Sequence, residues 1–244
     1  MDLIVRYLRQ LTVVLIALSL LDYSVSAATE SKVYFNRACL FIERHHPRDA
    51  LPLLDRAIII DPKFADAYYE RGRAFLQLDD LRQAKDDLDK AISLNSSFAD
   101  AFEQRARLFY EQGKEEEALR DATRAVDLNP KDAGLFHLRA KLYIELKQDD
   151  KAHLDLSKAI ALRPNDFILR QQRARIYFRQ GQLQKSVEDY SEAIRLDRTS
   201  DDLEKLLLER ANVYDRMGRR DLAASDRKSV QHHVRDGWGF FLDK

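Results

Sequence analysis

Apolar residues along most of this chain recur with a helical period, and short polar breaks separate the runs. One run carries Tyr68, Phe75 and Leu76 on a single helix face, and the next run carries Ala84 and Leu88 in the same way. Glycines, which end helices at little cost, stand between such runs at Gly113, Gly181 and Gly218. The pattern predicts a series of helical hairpins without strands.

The hairpin pattern repeats every 34 residues. Five copies align without a gap, and a sixth follows a three-residue insertion at 201–203. The copies span 31–64, 65–98, 99–132, 133–166, 167–200 and 204–237. One copy is too short to bury its own apolar face, so successive copies must stack on one another. Each residue of the array therefore has a position, from 1 to 34, within its copy.

Small and aromatic residues occupy fixed positions of the repeat. The eighth position is always Ala or Gly, the eleventh is always Phe or Tyr, and the twentieth and twenty-seventh are Ala in all copies but one. In the second copy these residues are Gly72, Phe75, Ala84 and Ala91. The columns resemble the tetratricopeptide repeat over residues 31–237. This resemblance implies an all-α, right-handed α-solenoid of six helical hairpins.

Both ends of the predicted array differ from its middle. At the carboxyl end, Arg227, Gln231 and His233 replace apolar residues of the earlier copies, as expected of a face that meets water. The tail, residues 238–244, is rich in aromatic residues and is expected to fold back as a C-terminal cap; the alternative is a docking motif. In the first copy, Pro52 is expected to interrupt the second helix.

Two columns of opposite charge predict ion pairs between facing helices. Arginine occupies the seventh position of every copy, and aspartate occupies the twenty-third position of every copy except the first, which has Leu53. The pairs should fix helix packing rather than bind a ligand. The expected ion pairs join arginines of one column to aspartates of the other. The arginines are Arg71, Arg105, Arg139, Arg173 and Arg210, and the aspartates are Asp87, Asp121, Asp155, Asp189 and Asp226.

Residues 1–27 lie outside the repeats and have the pattern of a secretory signal peptide. Arg6 and Arg9 precede the apolar stretch Leu11–Leu21, and Val25, Ser26 and Ala27 supply small residues at a cleavage site. The expected location is therefore periplasmic or secreted. An uncleaved membrane anchor, with the repeats facing outward, and a cytosolic chain remain as alternatives.

Charge and cysteine content exclude some functions. The chain has 41 basic and 41 acidic residues, and a neutral chain lacks the basic footprint that nucleic acid requires. Cys39 is the single cysteine, so no internal disulfide forms. It is expected to be a buried, inert thiol, although a link to another chain is the alternative.

The resemblance also implies where a partner would bind. In the family, positions 2, 5, 9, 12 and 13 of each first helix face a concave groove. Position 9 supplies four successive cations, position 12 supplies mostly apolar side chains beside them, and Phe35 and Tyr69 at position 5 add aromatic surface near one end. The predicted groove residues are Tyr69, Arg73, Leu76, Arg107, Tyr110, Lys141, Ile144, Arg175 and Phe178. Such a surface suits an extended or helical segment that carries acidic groups or a free carboxylate.

Helical spacing separates the four cations into two pairs. Arg107 and Lys141 each have a glutamate four residues away and should be neutralised locally, the latter by Glu145. Arg73 and Arg175 have no carboxylate at that spacing and are expected to be available to a partner. Position 5 contains no lysine, so the carboxylate clamp by which some relatives hold chaperone C-termini is not expected.

No assembled catalytic or metal site is visible in the sequence. His45, His46 and Cys39 lack a third group that would orient a base, and no spacing matches a zinc motif or a phosphate loop. We therefore expect a non-catalytic scaffold or adaptor for protein interactions, without cofactor or small-molecule substrate. A membrane-anchored assembly factor for an envelope or secretory complex is the alternative.

Overall fold

The computed structural model describes residues 26, 28–197 and 200–239. The predicted signal peptide, residues 1–27, and the predicted cap, residues 238–244, lie almost entirely outside these residues. Among the described helices, none is both long enough and apolar enough to cross a membrane.

All secondary structure in the described residues is α-helical, which confirms the predicted all-α fold of paired hairpins. Successive helices are separated by short turns, and neighbouring helices pack together. The helices are α1 (28–43), α2 (Pro47–Ile60), α3 (Ala65–Gln77), α4 (Leu81–Leu94), α5 (Ala99–Glu111), α6 (Glu115–Leu128), α7 (Ala133–Glu145), α8 (Asp149–Leu162), α9 (Phe167–Arg179), α10 (Leu183–Leu196), α11 (Ser200–Arg216) and α12 (Arg220–Gly239).

The chain divides into two compact units between Leu108 and Phe109. In the first unit, the core formed by α1, α2 and α3 contains Ile42 and Leu54 together with small residues. In the second unit, one core cluster joins α9, α10 and α11 around Tyr190, Leu206 and Val213. Each core lies between consecutive hairpins, as expected when a hairpin cannot bury its apolar face alone.

Small residues at position 8 allow the two helices of a hairpin to approach closely. Every alanine at this position is fully buried. At Gly72, an added Cβ would lie 3.2 Å from the Leu88 Cγ and 3.3 Å from the carbonyl oxygen of Ala84. The close contact explains why the column excludes larger side chains.

Position 15 adopts the left-handed conformation in all six hairpins and ends the first helix. The sequence predicted this role for the three glycines, whose φ angles are 68 to 75°. It did not predict the same conformation for non-glycine residues, which adopt it at a steric cost. These residues are His45 (φ 59°), Asp79 (φ 61°) and Lys147 (φ 56°).

The expectation that Pro52 interrupts the second helix of the first repeat was wrong. α2 runs through Pro52 without a break and has 14 residues, the same length as α4. Pro52 and Arg48 are both exposed, so water can satisfy the Arg48 carbonyl that loses its helical donor.

Candidate partner-binding surface

Paired arginines and aspartates hold the two helices of a hairpin together, as the charge columns predicted. In each pair described here, the arginine donates from Nε and Nη2 to the two oxygens of one carboxylate, at 2.7 to 2.9 Å. The aspartate side chains are 5 to 8% exposed. The pairs are Arg71 with Asp87, Arg139 with Asp155, Arg173 with Asp189, and Arg210 with Asp226.

Three of these arginines, and also Arg105, reach an acceptor on the preceding hairpin, which sequence reasoning missed. Arg71 donates to Asp55 at 2.7 Å, and Arg105 donates to Asp89. In the second unit the acceptors are hydroxyl groups, Ser157 for Arg173 and Ser191 for Arg210, both at 2.9 Å. All four acceptors occupy position 25. The signal was present in the sequence, because this column holds a short oxygen-bearing side chain in the first five copies.

The first unit contains three of the predicted groove residues close together. The ring of Tyr69 packs against the Phe98 ring in a tilted arrangement, with 4.8 Å between the ring centroids, and the guanidinium of Arg73 lies 5.8 Å from the centroid of the Tyr69 ring. Leu76 is half-buried one turn further along α3. Burial raises the pKa of the Tyr69 hydroxyl well above its usual value. Tyr69 therefore contributes a neutral aromatic surface at physiological pH.

The prediction that Arg73 lacks an acidic partner was wrong. Arg73 Nη1 donates to both carboxylate oxygens of Glu70 at 2.9 Å. Glu70 lies three residues before Arg73, a spacing that also allows an ion pair on one helix face. Arg107 behaves as predicted, because its Nε and Nη2 both donate to Glu103 Oε1.

The prediction for Arg175 was also wrong, because a following hairpin supplies its carboxylate. Arg175 donates through Nε and Nη2 to Glu209 on α11, at 3.1 and 2.5 Å. The hydrogen bonds that Arg175 donates to Glu209 raise the pKa of Arg175, although burial acts in the opposite direction. Gln171 donates to the same carboxylate at 3.2 Å.

Lys141 is the groove cation that the structure leaves available. The expected ion pair with Glu145 does not form, and within the described part of the chain Lys141 has no hydrogen bond or ion pair; its side chain is exposed. Glu145 accepts instead from the Tyr110 hydroxyl at 3.4 Å. A lysine that precedes a glutamate by four residues also has the less favourable order for a helical ion pair.

Four predicted groove residues meet around one pocket in the second unit. The pocket has a volume of about 250 Å³ and is lined by residues of α5, α7 and α9. Tyr110, Lys141, Ile144 and Arg175 were predicted, whereas Glu145, Gln172 and Arg179 were not. Phe178 does not line it, because its ring packs against the neighbouring core and lies 5.1 Å below the Arg216 guanidinium.

Two arginines of the pocket are held in place by carboxylates from neighbouring hairpins. Arg179 donates through Nε and Nη2 to Asp149 on α8, at 2.9 and 2.6 Å, and this leaves its Nη1 group outside the pair. Arg175 is fixed by Glu209 in the same manner. Gln172 is fixed by His137, whose Nε2 lies 3.0 Å from the Gln172 Oε1. The pocket thus combines fixed hydrogen-bonding groups, the apolar Ile144 and one available ammonium group.

Other chemistry is not assembled in the described residues. They contain no cluster of three or more His, Cys, Asp or Glu side chains that could hold a metal ion. Burial, together with the charges of Glu70 and Glu43, raises the pKa of the Cys39 thiol to about 11. Cys39 is therefore protonated at neutral pH and is a poor nucleophile.

Sequence profiles of the tetratricopeptide repeat match most of the repeated region. The matched residues are 35–81 and 69–133, then 133–166, then 169–200. A comparison with curated proteins gives no significant match.

Solved structures with similar folds include a type IV pilus biogenesis factor, a peptide-binding protein and PilF. PilF of Pseudomonas aeruginosa is 20% identical, with a TM-score of 0.71 over 85% of this chain and 93% of its own. PilW, a type IV pilus biogenesis factor, is 16% identical, with a TM-score of 0.66 over 84% and 94%. YrrB, described as having an unusual peptide-binding site, is 20% identical, with a TM-score of 0.67 over 75% and 93%. At these identities the similarity shows a shared fold.

Proposed function

This chain belongs to the tetratricopeptide repeat family, whose members are non-catalytic scaffolds that bind proteins and peptides, and we propose that it is an adaptor for a segment of another protein. The segment lies in the pocket formed by α5, α7 and α9. It is acidic or ends in a free carboxylate, and it carries at least one large apolar side chain. Nucleic acid and small-molecule substrates are not part of this function.

The observation that carries the proposal is the unpaired ammonium group of Lys141 beside Tyr110 and Ile144. A carboxylate of the partner can pair with Lys141 without displacing an existing ion pair. An apolar side chain of the partner can cover Ile144 and the Tyr110 ring, which is 37% exposed. The Nη1 group of Arg179 supplies a second donor, so the site can orient a carboxylate as well as attract it.

The experiment measures which peptides the full chain selects from an array of random ten-residue peptides. Bound peptides should be enriched in Asp or Glu together with Leu, Phe, Tyr or Trp, and binding should weaken with salt. Lys141→Glu should remove the acidic enrichment. Lys131→Glu is the matched control, because Lys131 is exposed and lies outside the pocket. Equal retention of the same peptides by Lys141→Glu would disprove the proposed site.

Export and assembly form a second, more specific proposal. Residues 1–27 have the sequence pattern of a signal peptide, and the fold similarity to PilW, a type IV pilus biogenesis factor, extends over most of both chains. An exported adaptor, or a membrane-anchored assembly factor of an envelope or secretory complex, is consistent with both observations. N-terminal sequencing of the mature protein separates them: a start at Ala28 supports export with cleavage, and a start at Met1 or Asp2 in the membrane fraction supports the anchor.

A further inference from the structure

Helix α1 exposes two apolar side chains at positions that are buried in every other repeat. Val33 and Leu40, at positions 3 and 10, are each 52% exposed. In the other five repeats these positions are 0 to 2% exposed, because the first helix of each repeat packs there against the hairpin before it. The buried residues are Ala67, Ala101, Leu135, Leu169 and Leu206 at position 3, and Ala74, Leu108, Leu142, Ile176 and Val213 at position 10.

Arg37 lies between these two residues, four after Val33 and three before Leu40, so the three residues form one stripe on α1. We call this stripe the α1 end face. At Arg71, Arg173 and Arg210, the arginine of this column binds one acceptor at position 23 of its own hairpin and a second at position 25 of the preceding hairpin. Leu53 replaces the first acceptor. Arg37 is exposed and makes no hydrogen bond or ion pair with the residues that the structure describes.

The α1 end face therefore has the same kinds of side chains as the interface between two repeats, but no preceding hairpin of the array covers it. Two apolar residues flank a cation whose counterparts Arg71, Arg105, Arg173 and Arg210 each take an oxygen acceptor from the preceding hairpin. In the first unit that acceptor is an aspartate both times, Asp55 for Arg71 and Asp89 for Arg105. The matching surface is consequently an amphipathic helix with an acidic residue beside its apolar stripe.

We propose that the α1 end face binds an amphipathic helix of a partner protein, which places a carboxylate against Arg37 and apolar side chains against Val33 and Leu40. This inference goes beyond the proposed function, because the surface lies in a different unit from the pocket around Lys141 and uses none of its residues. The helix occupies the place that a preceding hairpin would take.

The charges of the last hairpin argue against a second copy of this chain as the occupant. In a head-to-tail contact, position 25 of α12 would meet Arg37, and this position is the exposed Lys228. Like charges would then face each other across a contact that elsewhere joins arginine to aspartate or serine. An acidic helix of a different protein avoids this repulsion.

The test uses the full chain, expressed in its native host with photoreactive benzoylphenylalanine at Leu40. The matched control carries the same group at Ile59 on α2, which is 68% exposed and lies outside the α1 end face. Crosslinked peptides are sequenced by mass spectrometry. We expect a foreign protein at Leu40 and not at Ile59, linked through a helical segment with Asp or Glu beside its apolar face.

Charge reversal makes the result specific. Arg37→Glu should lower the yield of the Leu40 crosslink at least about tenfold, and Lys32→Glu, an exposed neighbour on α1, should not. Exchange of the partner's acidic residue for Arg should restore the crosslink in Arg37→Glu. The yield should be unchanged in Lys141→Glu, and this separates failure of the inference from failure of the proposed pocket.

Several outcomes of the crosslinking experiment would overturn the inference. They are the absence of any Leu40 crosslink, a crosslink to residues 1–25 of the same chain, a crosslink to a second copy, and a partner whose yield does not depend on Arg37. Loss of the crosslink in Lys141→Glu would also overturn it, because the partner would then be held by the pocket alone.

Discussion

Arg71 holds Asp87 through two parallel hydrogen bonds of 2.7 Å, from Nε and from Nη2, and these join α3 to α4 within one hairpin. The third donor used by the same guanidinium, Nη1, reaches Asp55 on α2 at 2.7 Å. The two carboxylates are at equal distance from the arginine but differ in exposure, 7% for the Asp87 side chain and 54% for Asp55.

Replacement of each carboxylate should show that burial, rather than distance, determines its contribution to stability. Asp87→Ala leaves a largely buried guanidinium charge without its bidentate partner and should lower the free energy of unfolding by about 2–3 kcal/mol. Asp55→Ala removes an ion pair exposed to water and should cost about 0–1 kcal/mol. Urea denaturation of the two variants measures the difference. Equal losses would contradict this prediction.

The residues at position 15 predict opposite effects of glycine and alanine. Lys147→Gly should stabilise the protein by about 0.5–1 kcal/mol, because glycine adopts the positive φ without the steric cost that lysine bears. The greater freedom of glycine in the unfolded chain offsets part of this gain. Gly181→Ala should destabilise it by a similar amount through the backbone alone, since an added Cβ meets no atom within 4 Å. Lys147→Ala is the control and should change stability by less than about 0.5 kcal/mol. Thermal unfolding of the three variants provides the test.

Cys39 should react slowly in the folded protein. Its pKa is raised from 9.0 to about 11, so the native thiolate fraction at pH 8 is about 100-fold smaller than in the unfolded chain. Alkylation by iodoacetamide should therefore be much slower in buffer than in urea, and it should accelerate as the pH approaches 11. Rapid alkylation of the native protein at pH 8 would contradict the assignment.

The raised pKa of Cys39 also predicts a pH dependence of stability. A group with a higher pKa in the folded state contributes fully below the unfolded value and loses its contribution as the pH rises through the folded value. Between about pH 9 and pH 11, the wild type should lose stability relative to Cys39→Ser. The unfolding free energies of both proteins, measured across this range, supply the comparison. A constant difference would contradict the prediction.

Glu209 should limit the affinity of the proposed pocket for acidic segments, because it neutralises Arg175. Glu209→Gln removes one negative charge while keeping a side chain of the same shape. Acidic peptides selected on the array should bind this variant about two- to fivefold more tightly. Glu192→Gln is the control, since Glu192 pairs with Arg195 outside the pocket. Weaker binding by Glu209→Gln would contradict the prediction.

The fold was predictable because its determinants repeat in the sequence. Each column appears up to six times, so a pattern such as small residues at position 8 is distinguishable from chance. The pairing of Arg139 with Asp155 followed from the same logic, since two opposite charges recur on facing helices. The acceptors at position 25 were harder to recognise, because Asp55 and Ser157 share a hydrogen-bonding oxygen but not a charge.

The electrostatics of the pocket were not predictable from spacing along one helix. Arg175 forms an ion pair with Glu209, a residue of the next hairpin. Glu145 accepts a hydrogen bond from Tyr110 of an earlier hairpin and does not pair with Lys141. Such contacts depend on the distance between side chains of different helices. The spacing of three or four residues along one helix does not reveal that distance. The exposed α1 end face was likewise invisible, because Val33 and Leu40 resemble the buried residues of their columns.

The bridges from Arg71, Arg105, Arg173 and Arg210 to position 25 run in one direction along the chain, from one hairpin back to the one before it. Arg71 donates to Asp55, which lies only 16 residues earlier in the chain, and Arg173 donates to Ser157 at the same separation. A nascent polypeptide can therefore complete each bridge once a single further helix has emerged from the ribosome or a translocation channel. Folding can thus proceed vectorially, with contacts of low sequence separation that favour rapid assembly.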